Sequence, residues 1–387
     1  MTDSDILFAL LRFEICQAEL SEETKNCITP DRLPALYKLS KSHDLAHLVA
    51  DALDKIGLLP KGTEAQKRFL QERNLAIYRY EQLRYELEEV CRVLEEEKIE
   101  HIPLKGSVIR ALYPEPWMRT SCDIDILVRE NDLDRAVDIL SQKLQYTSEG
   151  KDSHDISLFS ESGVHLELHF KLVDVRVTRR GENVLLKIWE HTESAEGCTY
   201  QKKLTDEMFY FFHIAHMAKH FHAGGCGVRP FMDLWILNHK TEYDAKKRQE
   251  LLKEGQVAAF ADGAKRLSEV WFDTGVHDEL TKELEDYVLR GGVYGNMKNA
   301  VVIQQAQKGG RFKTLLSRIF VPYDVLLIRY PSLAKHKWLM PIYQVRRWGR
   351  LLLKGKAKAS VRELQIGANV SEEQQARAEK LLRDLGL

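Results

Sequence analysis

Residues able to do chemistry cluster in three short runs. These are Pro103-Leu104-Lys105-Gly106-Ser107, then Arg119-Thr120-Ser121-Cys122-Asp123-Ile124-Asp125-Ile126-Leu127-Val128, then His165-Leu166-Glu167-Leu168-His169. Each run is common alone; in this order they describe one site. A strand running into Gly106-Ser107 predicts a turn that opens a helix toward Leu112. Glycine there lets a phosphate approach the backbone, while Ser107 and the free N–H groups of the helix start can hold its oxygens. Asp123 and Asp125, two apart on a predicted strand, project from one face while Ile124 and Ile126 enter the core. Paired carboxylates make a hard-oxygen site for Mg²⁺ bridging substrate phosphates. Glu167, sharing a strand face with His165 and His169, supplies a third carboxylate. It could hold a second metal and accept a proton from an attacking hydroxyl.

The flanking sequence must position these groups. Residues 1–98 read as helical, with apolar stripes through Ile6–Ile15 and Leu36–Leu53. Thr63 is placed to cap a long amphipathic helix over 64–97. From Ile99 to about residue 203, β-type runs (Ile99–Leu104, Asp123–Val128, Asp155–Phe159, Val164–Phe170) alternate with a helix expected over Asn131–Leu144. This predicts an α/β (α+β) core with a mixed sheet, flanked by N-terminal and C-terminal helical regions. Helical spacing resumes over 204–307, Gly309-Gly310 marks a break, and 308–387 follows as a basic helical segment with Ser371 as the N-cap of a terminal helix. The expected division is thus 1–98, 99–203, 204–307 and 308–387, the second part catalytic and the third positioning substrate.

The string Lys105-Gly106-Ser107, Tyr113-Pro114-Glu115-Pro116-Trp117-x-Arg119 and Asp123-Ile124-Asp125-Ile126-Leu127-Val128 resembles the bacterial "uncharacterised nucleotidyltransferase" family, within the DNA polymerase beta-type nucleotidyltransferase superfamily. The resemblance implies Gly-Ser for phosphate, Asp-x-Asp for metal and a third acid on a later strand. Glu167 takes that last role here, with Asp155 and Asp174 as competitors. It also extends to His216-x-x-x-His220, Arg229 and Asp233, which become candidate substrate contacts. Lys105 and Arg119 could neutralise phosphate charge in nucleotide binding. The implied activity is Mg²⁺-dependent (or Mn²⁺-dependent) transfer of a nucleoside monophosphate from an NTP, with ATP the reference case, to an acceptor hydroxyl. Two rival readings use the same residues: an Asp-x-Asp glycosyltransferase, which leaves the Lys-Gly-Ser turn and third acid unused, and a catalytically silent nucleotide-binding interaction protein. His213, His216 and His220 share a helical face, but no Glu separates the last two as in a zinc protease, so packing or substrate contact is expected there.

Composition narrows the class further. Over 387 residues, 44% hydrophobic and 30% charged, the chain reads as globular. Its scattered six cysteines fit neither a zinc ribbon nor a disulfide scaffold. An acidic N-terminus and the lack of any run near the roughly 20 apolar residues of a spanning helix point to the cytoplasm, with peripheral contact at the inner membrane face left open. The formal charge of −1 hides an asymmetry: residues 308–362 carry fourteen Lys and Arg against one acid, Asp324. Interleaved aromatics (Phe312, Phe320, Tyr323, Tyr330, Trp338, Tyr343, Trp348) make this segment a solvated helical face, a surface for anionic membrane, or an RNA groove.

Overall fold

The computed structural model describes residues 1–173, 180–222, 224–292, 297–308, 311–323, 326–327, 330–353, 366 and 369–387. Asp174 and Asp324, with Arg329, Lys354, Lys356, Lys358 and Arg362 among the basic residues of 308–362, lie outside the described residues. So do the side chains of Lys308, Arg311, Phe312 and Arg318.

The helices before the sheet are α1 (Asp3–Ile15), α2 (Glu22–Cys27), α3 (Leu33–Ser42), α4 (Ala46–Lys55) and α5 (Glu64–Glu96). Local chemistry sets their starts. Thr2 and Asp5 form a reciprocal capping box on α1, and the Thr63 hydroxyl accepts from the Gln66 N–H to start α5, as its position in the sequence predicts.

The sheet contains β1 (His101–Pro103), β2 (Asp123–Val128), β3 (Thr147–Lys151), β4 (Asp155–Phe159) and β5 (His165–His169), in the order β1-β2-β5-β4-β3. β2 and β5 run parallel at its centre and every other pairing is antiparallel. This is the mixed sheet expected. Two predicted strands are shorter than their apolar runs, and β3 was not predicted. Its sequence, Thr-Ser-Glu-Gly-Lys, is exposed throughout and carries no apolar alternation, so only pairing with β4 makes it a strand.

Period-two alternation gives the sheet two unlike faces. Ile124, Ile126 and Val128 of β2, with Leu166 and Leu168 of β5, are buried in one core with Val90 and Leu94 of α5 and with Leu133, Ala136 and Leu140 of α7 (Leu133–Leu144). Asp123, Asp125, Glu167 and His169 stand on the opposite face. After the short α8 (Glu182–Leu185), that face meets α9 (Asp206–His222), followed by α10 (Arg229–His239), α11 (Ala245–Glu254), α12 (Ala258–Phe272) and α13 (Glu279–Gly291).

A second core joins parts far apart in the chain. Leu7, Leu10 and Leu11 of α1 and Leu48, Val49 and Leu53 of α4 are buried with Phe211 and Ile214 of α9, Phe231 of α10 and Trp271 of α12. Phe8 stacks on Trp271 with ring centroids 4.6 Å apart. Residues 1–98 therefore brace the same helices that wall the polar face of the sheet. Leu168 is fully buried between the sheet and its helical cover. Leu168→Ala is expected to lower the free energy of unfolding by about 2–5 kcal/mol, read from urea denaturation.

Candidate active site

β2 and β5 fix the carboxylates by register. Asp123 pairs with His165, Asp125 with Glu167 and Leu127 with His169, so three acids and two imidazoles occupy adjacent rungs on one face. Like charges at this spacing repel unless compensated. Lys105 Nζ donates to Asp125 Oδ1 at 2.6 Å and lies 4.0 Å from Glu167 Oε2. His169 Nε2 donates to the same Asp125 oxygen at 2.8 Å and lies 3.4 Å from Glu167 Oε2.

The ionisation equilibria follow these contacts. Burial raises the carboxyl pKa of Asp123, and its neighbour Asp125 adds to the effect. Burial also opposes the charge on Asp125, but Lys105 and His169 outweigh it and hold that carboxyl well below its usual range. The His169 contact lowers Glu167 against a smaller burial effect. Burial disfavours the charge on Lys105 and His169, yet the acids raise both. Asp123 and Asp125 are thus two neighbouring carboxyls pushed in opposite directions.

Lys105 reaches this position from an unusual backbone. Its φ of +48° and ψ of −126° lie in a region costly for a residue with a side chain, on the order of 1–3 kcal/mol. Gly106 follows it into a single helical turn, α6 (Gly106–Ile109). A Cβ on Gly106 would stand 3.2 Å from Ser121 Cβ and 3.4 Å from Arg119 Nη1, closer than most packed side chains come. The turn is thereby pressed against the 119–121 loop.

The expectation that the N–H groups of this turn stand open to phosphate is not met at residues 107 and 108. Ser107 N–H donates to the Leu104 carbonyl and Val108 N–H to that of Lys105, both at 3.2 Å. Half-buried Ser107 does not line the cavity beside it, whereas Lys105 and Gly106 do.

That cavity, about 420 Å³, separates the sheet from α9. Its sheet side carries Asp123, Asp125, Glu167 and His169, with Asp152, His154 and Asp155 beside them. Phe212, Ala215, His216, Lys219 and His220 face them from one stripe of α9, and Arg180 and Arg229 complete a basic wall. Acids and cations thus face each other across a space of ligand size.

The remaining predicted residues separate into those that line the cavity and those that support it. Asp233 was expected to touch substrate; instead it is 1% exposed and serves as an anchor. Arg119 Nε donates to its two carboxylate oxygens at 2.8 and 3.0 Å, Arg119 Nη2 donates at 2.9 Å, and Tyr113 Oη donates at 2.6 Å. Arg119 lines the cavity, but this fork binds its guanidinium. Burial opposes its charge, and Asp233 more than restores it. Arg229 also reaches the cavity, while its Nη1 donates to Asp44 Oδ2 at 3.1 Å and to the Thr120 carbonyl at 3.0 Å.

Among the histidines, His213 is turned to the Pro230 carbonyl, 2.9 Å away, and His216 and His220 pair at 3.1 Å between their Nε2 atoms. Burial, with Lys105 as the next cause, holds both well below the ordinary histidine value, His220 at about 4.

Among the described residues, the clusters able to hold an ion lie on the sheet: Asp123–His165–Glu167, Asp125–Glu167–His169 and His154–Asp155–His169. The first two share Glu167. Their carboxylate oxygens suit a hard divalent cation, and Lys105 and His169 supply the compensating positive charge here.

His169 was not among the expected site residues, although its alternation with Glu167 places it on the same face. Lys219 was equally accessible, lying on the helical stripe of His216 and His220. No local pattern announces Arg180, which arrives from beyond the sheet.

A mixed sheet whose parallel central strands present three carboxylates to a helix-walled cavity is an α+β nucleotidyltransferase-like core. A family model described as uncharacterised nucleotidyltransferase matches residues 29–273, well over half of the chain, and the protein belongs to that family. No curated protein and no solved structure matches it.

Two outcomes follow from the supporting contacts. Asp233→Ala strands a buried guanidinium and is expected to cost about 3–5 kcal/mol of stability, measured by chemical denaturation. For the imidazole pair, the unfolded chain takes up protons near pH 6.5 while native His220 resists them to about pH 4. Stability therefore falls on acidification through that window. A His216→Gln/His220→Gln variant should lose less stability between pH 7 and 5 than the parent, as judged by urea midpoints.

Proposed function

We propose that this protein transfers a nucleoside monophosphate from an NTP to an acceptor hydroxyl, releasing pyrophosphate. The observation that carries this reading is the register of β2 against β5, which sets Asp123, Asp125 and Glu167 on adjacent rungs facing a basic wall. In this reading residues 99–203 are the catalytic core and 204–307 position the substrate, with 1–98 and 308–387 as flanks.

Asp123, Asp125 and Glu167 would hold Mg²⁺ or Mn²⁺, which when bound neutralises phosphate charge and stabilises the entering and leaving oxygens. Lys219, Arg180 and Arg229 face those acids and attract the triphosphate across the cavity. Lys105 serves at the junction, its ammonium within reach of both the carboxylates and a phosphate beside Gly106. Arg119, tied to Asp233, orders the loop leading into β2. His216 and His220, kept neutral by burial, present hydrogen-bonding imidazoles without adding charge.

The acceptor hydroxyl attacks the α-phosphorus in line as the bond to pyrophosphate breaks. Glu167, less buried than Asp125 and poised on the open side, takes the hydroxyl proton. The chemistry of this core does not prescribe the acceptor, which contacts outside the metal-binding carboxylates select.

Asp125→Asn is expected to lower Mg²⁺-dependent pyrophosphate release from ATP by about 10²–10³-fold with the fold retained by circular dichroism. Unchanged turnover in an Asp123→Ala/Asp125→Ala variant would overturn the assignment. Lys219→Ala should weaken ATP binding by about tenfold, measured by calorimetry, because it removes a charged contact to phosphate.

A further inference from the structure

Outside the family match, the segment from the helix Arg311–Ile319 to the helix Met340–Leu353 breaks the usual rule of polar solvent-facing positions. On that last helix, Gln344 is buried and exchanges hydrogen bonds with the backbone of Val321. Arg347 and Trp348 donate to the Ile319 carbonyl at 3.2 and 2.9 Å. These contacts fix which side faces the protein. Tyr343 packs on Tyr330, and Arg346 lies over the same ring at 5.8 Å; at 100° per residue, positions 342 and 345 fall away from all these contacts.

Ile342 and Val345 stand there 58% and 60% exposed, and Trp338, just before the helix, is 73% exposed. Lys335, Lys337, Arg346 and Arg350 are exposed in the same short segment. The sequence 308–362 opposes its fourteen cations with one acid.

We propose that this face is a peripheral docking surface for an anionic lipid bilayer. The charge pattern selects the partner. The exposed cations of the same segment are drawn to acidic headgroups, while Trp338, Ile342 and Val345 enter the boundary between headgroups and acyl chains. Tryptophan suits that boundary because its ring is apolar and its indole N–H is polar. A nucleic-acid surface would use the cations, but aliphatic Ile342 and Val345 offer a phosphate backbone nothing. No helix among the described residues is long and apolar enough to cross a membrane, so the mode of attachment is interfacial. This inference is independent of the nucleotidyl-transfer reading and stands or falls without it.

The test is cosedimentation of the full chain with vesicles of phosphatidylcholine alone and of phosphatidylcholine with phosphatidylglycerol. Binding is expected to the anionic vesicles only and to weaken as salt is raised. A Trp338→Ser/Ile342→Ser/Val345→Ser variant with unchanged circular dichroism should lose at least about tenfold in apparent affinity. Failure to bind anionic vesicles, or equal binding by the variant, overturns the proposal. So does vesicle-independent self-association that the triple substitution abolishes, which would assign the face to a second copy. Salt-sensitive tRNA binding unaffected by the triple substitution, without vesicle binding, would assign the cations to nucleic acid and also overturn it.

Discussion

Three carboxylates on neighbouring rungs of two parallel strands are the constraint around which the rest of this protein is arranged. Left to themselves they would protonate or push the strands apart. Lys105 and His169 prevent this by converging on one oxygen of Asp125. Delivering the lysine requires a backbone conformation that side-chain-bearing residues rarely adopt, followed by a glycine pressed against Ser121 and Arg119. The strained turn, the loop and the central strands are therefore parts of one electrostatic solution.

The helices complete it from the other side. Burying one sheet face against α5 and α7 leaves the carboxylate face to meet α9, whose inward stripe is basic and imidazole-bearing. α9 is held in turn by the N-terminal helices through the second core. A division of the chain at residues 98 and 203 describes its order along the sequence, but packing joins the two helical parts across the sheet. Side chains as distant in sequence as Phe8 and Trp271 meet in this shared packing.

Much of this was legible in the sequence where periodicity and chemistry coincide. Asp-Ile-Asp-Ile-Leu-Val announces a strand with two acids on one side, and its bounds are those observed. Alternating Leu166 and Leu168 mark a buried face and so set Glu167 on the other one, while its pairing opposite Asp125 comes from the strand register. The role of Asp233 was not legible. An acid in a helix looks the same whether it meets substrate or an arginine 114 residues earlier, and only tertiary structure distinguishes them. Nor did the Gly-Ser pair reveal that Ser107 would spend its N–H within the turn, since a helix start and a closed turn share that sequence. β3 carried no signal at all because an exposed edge strand has no apolar face to show.

The anchor formed by Tyr113, Arg119 and Asp233 also bears on the order in which the protein can become competent. During synthesis the strands bearing Asp123, Asp125 and Glu167 leave the ribosome well before α10. Until Asp233 follows, the loop leading into β2 lacks its buried counter-charge, and the wall of α9 lacks the helix packed beside it. The nascent chain thus carries all three carboxylates before it can organise a space around them, and completion of α10 sets the earliest moment at which the cavity can close.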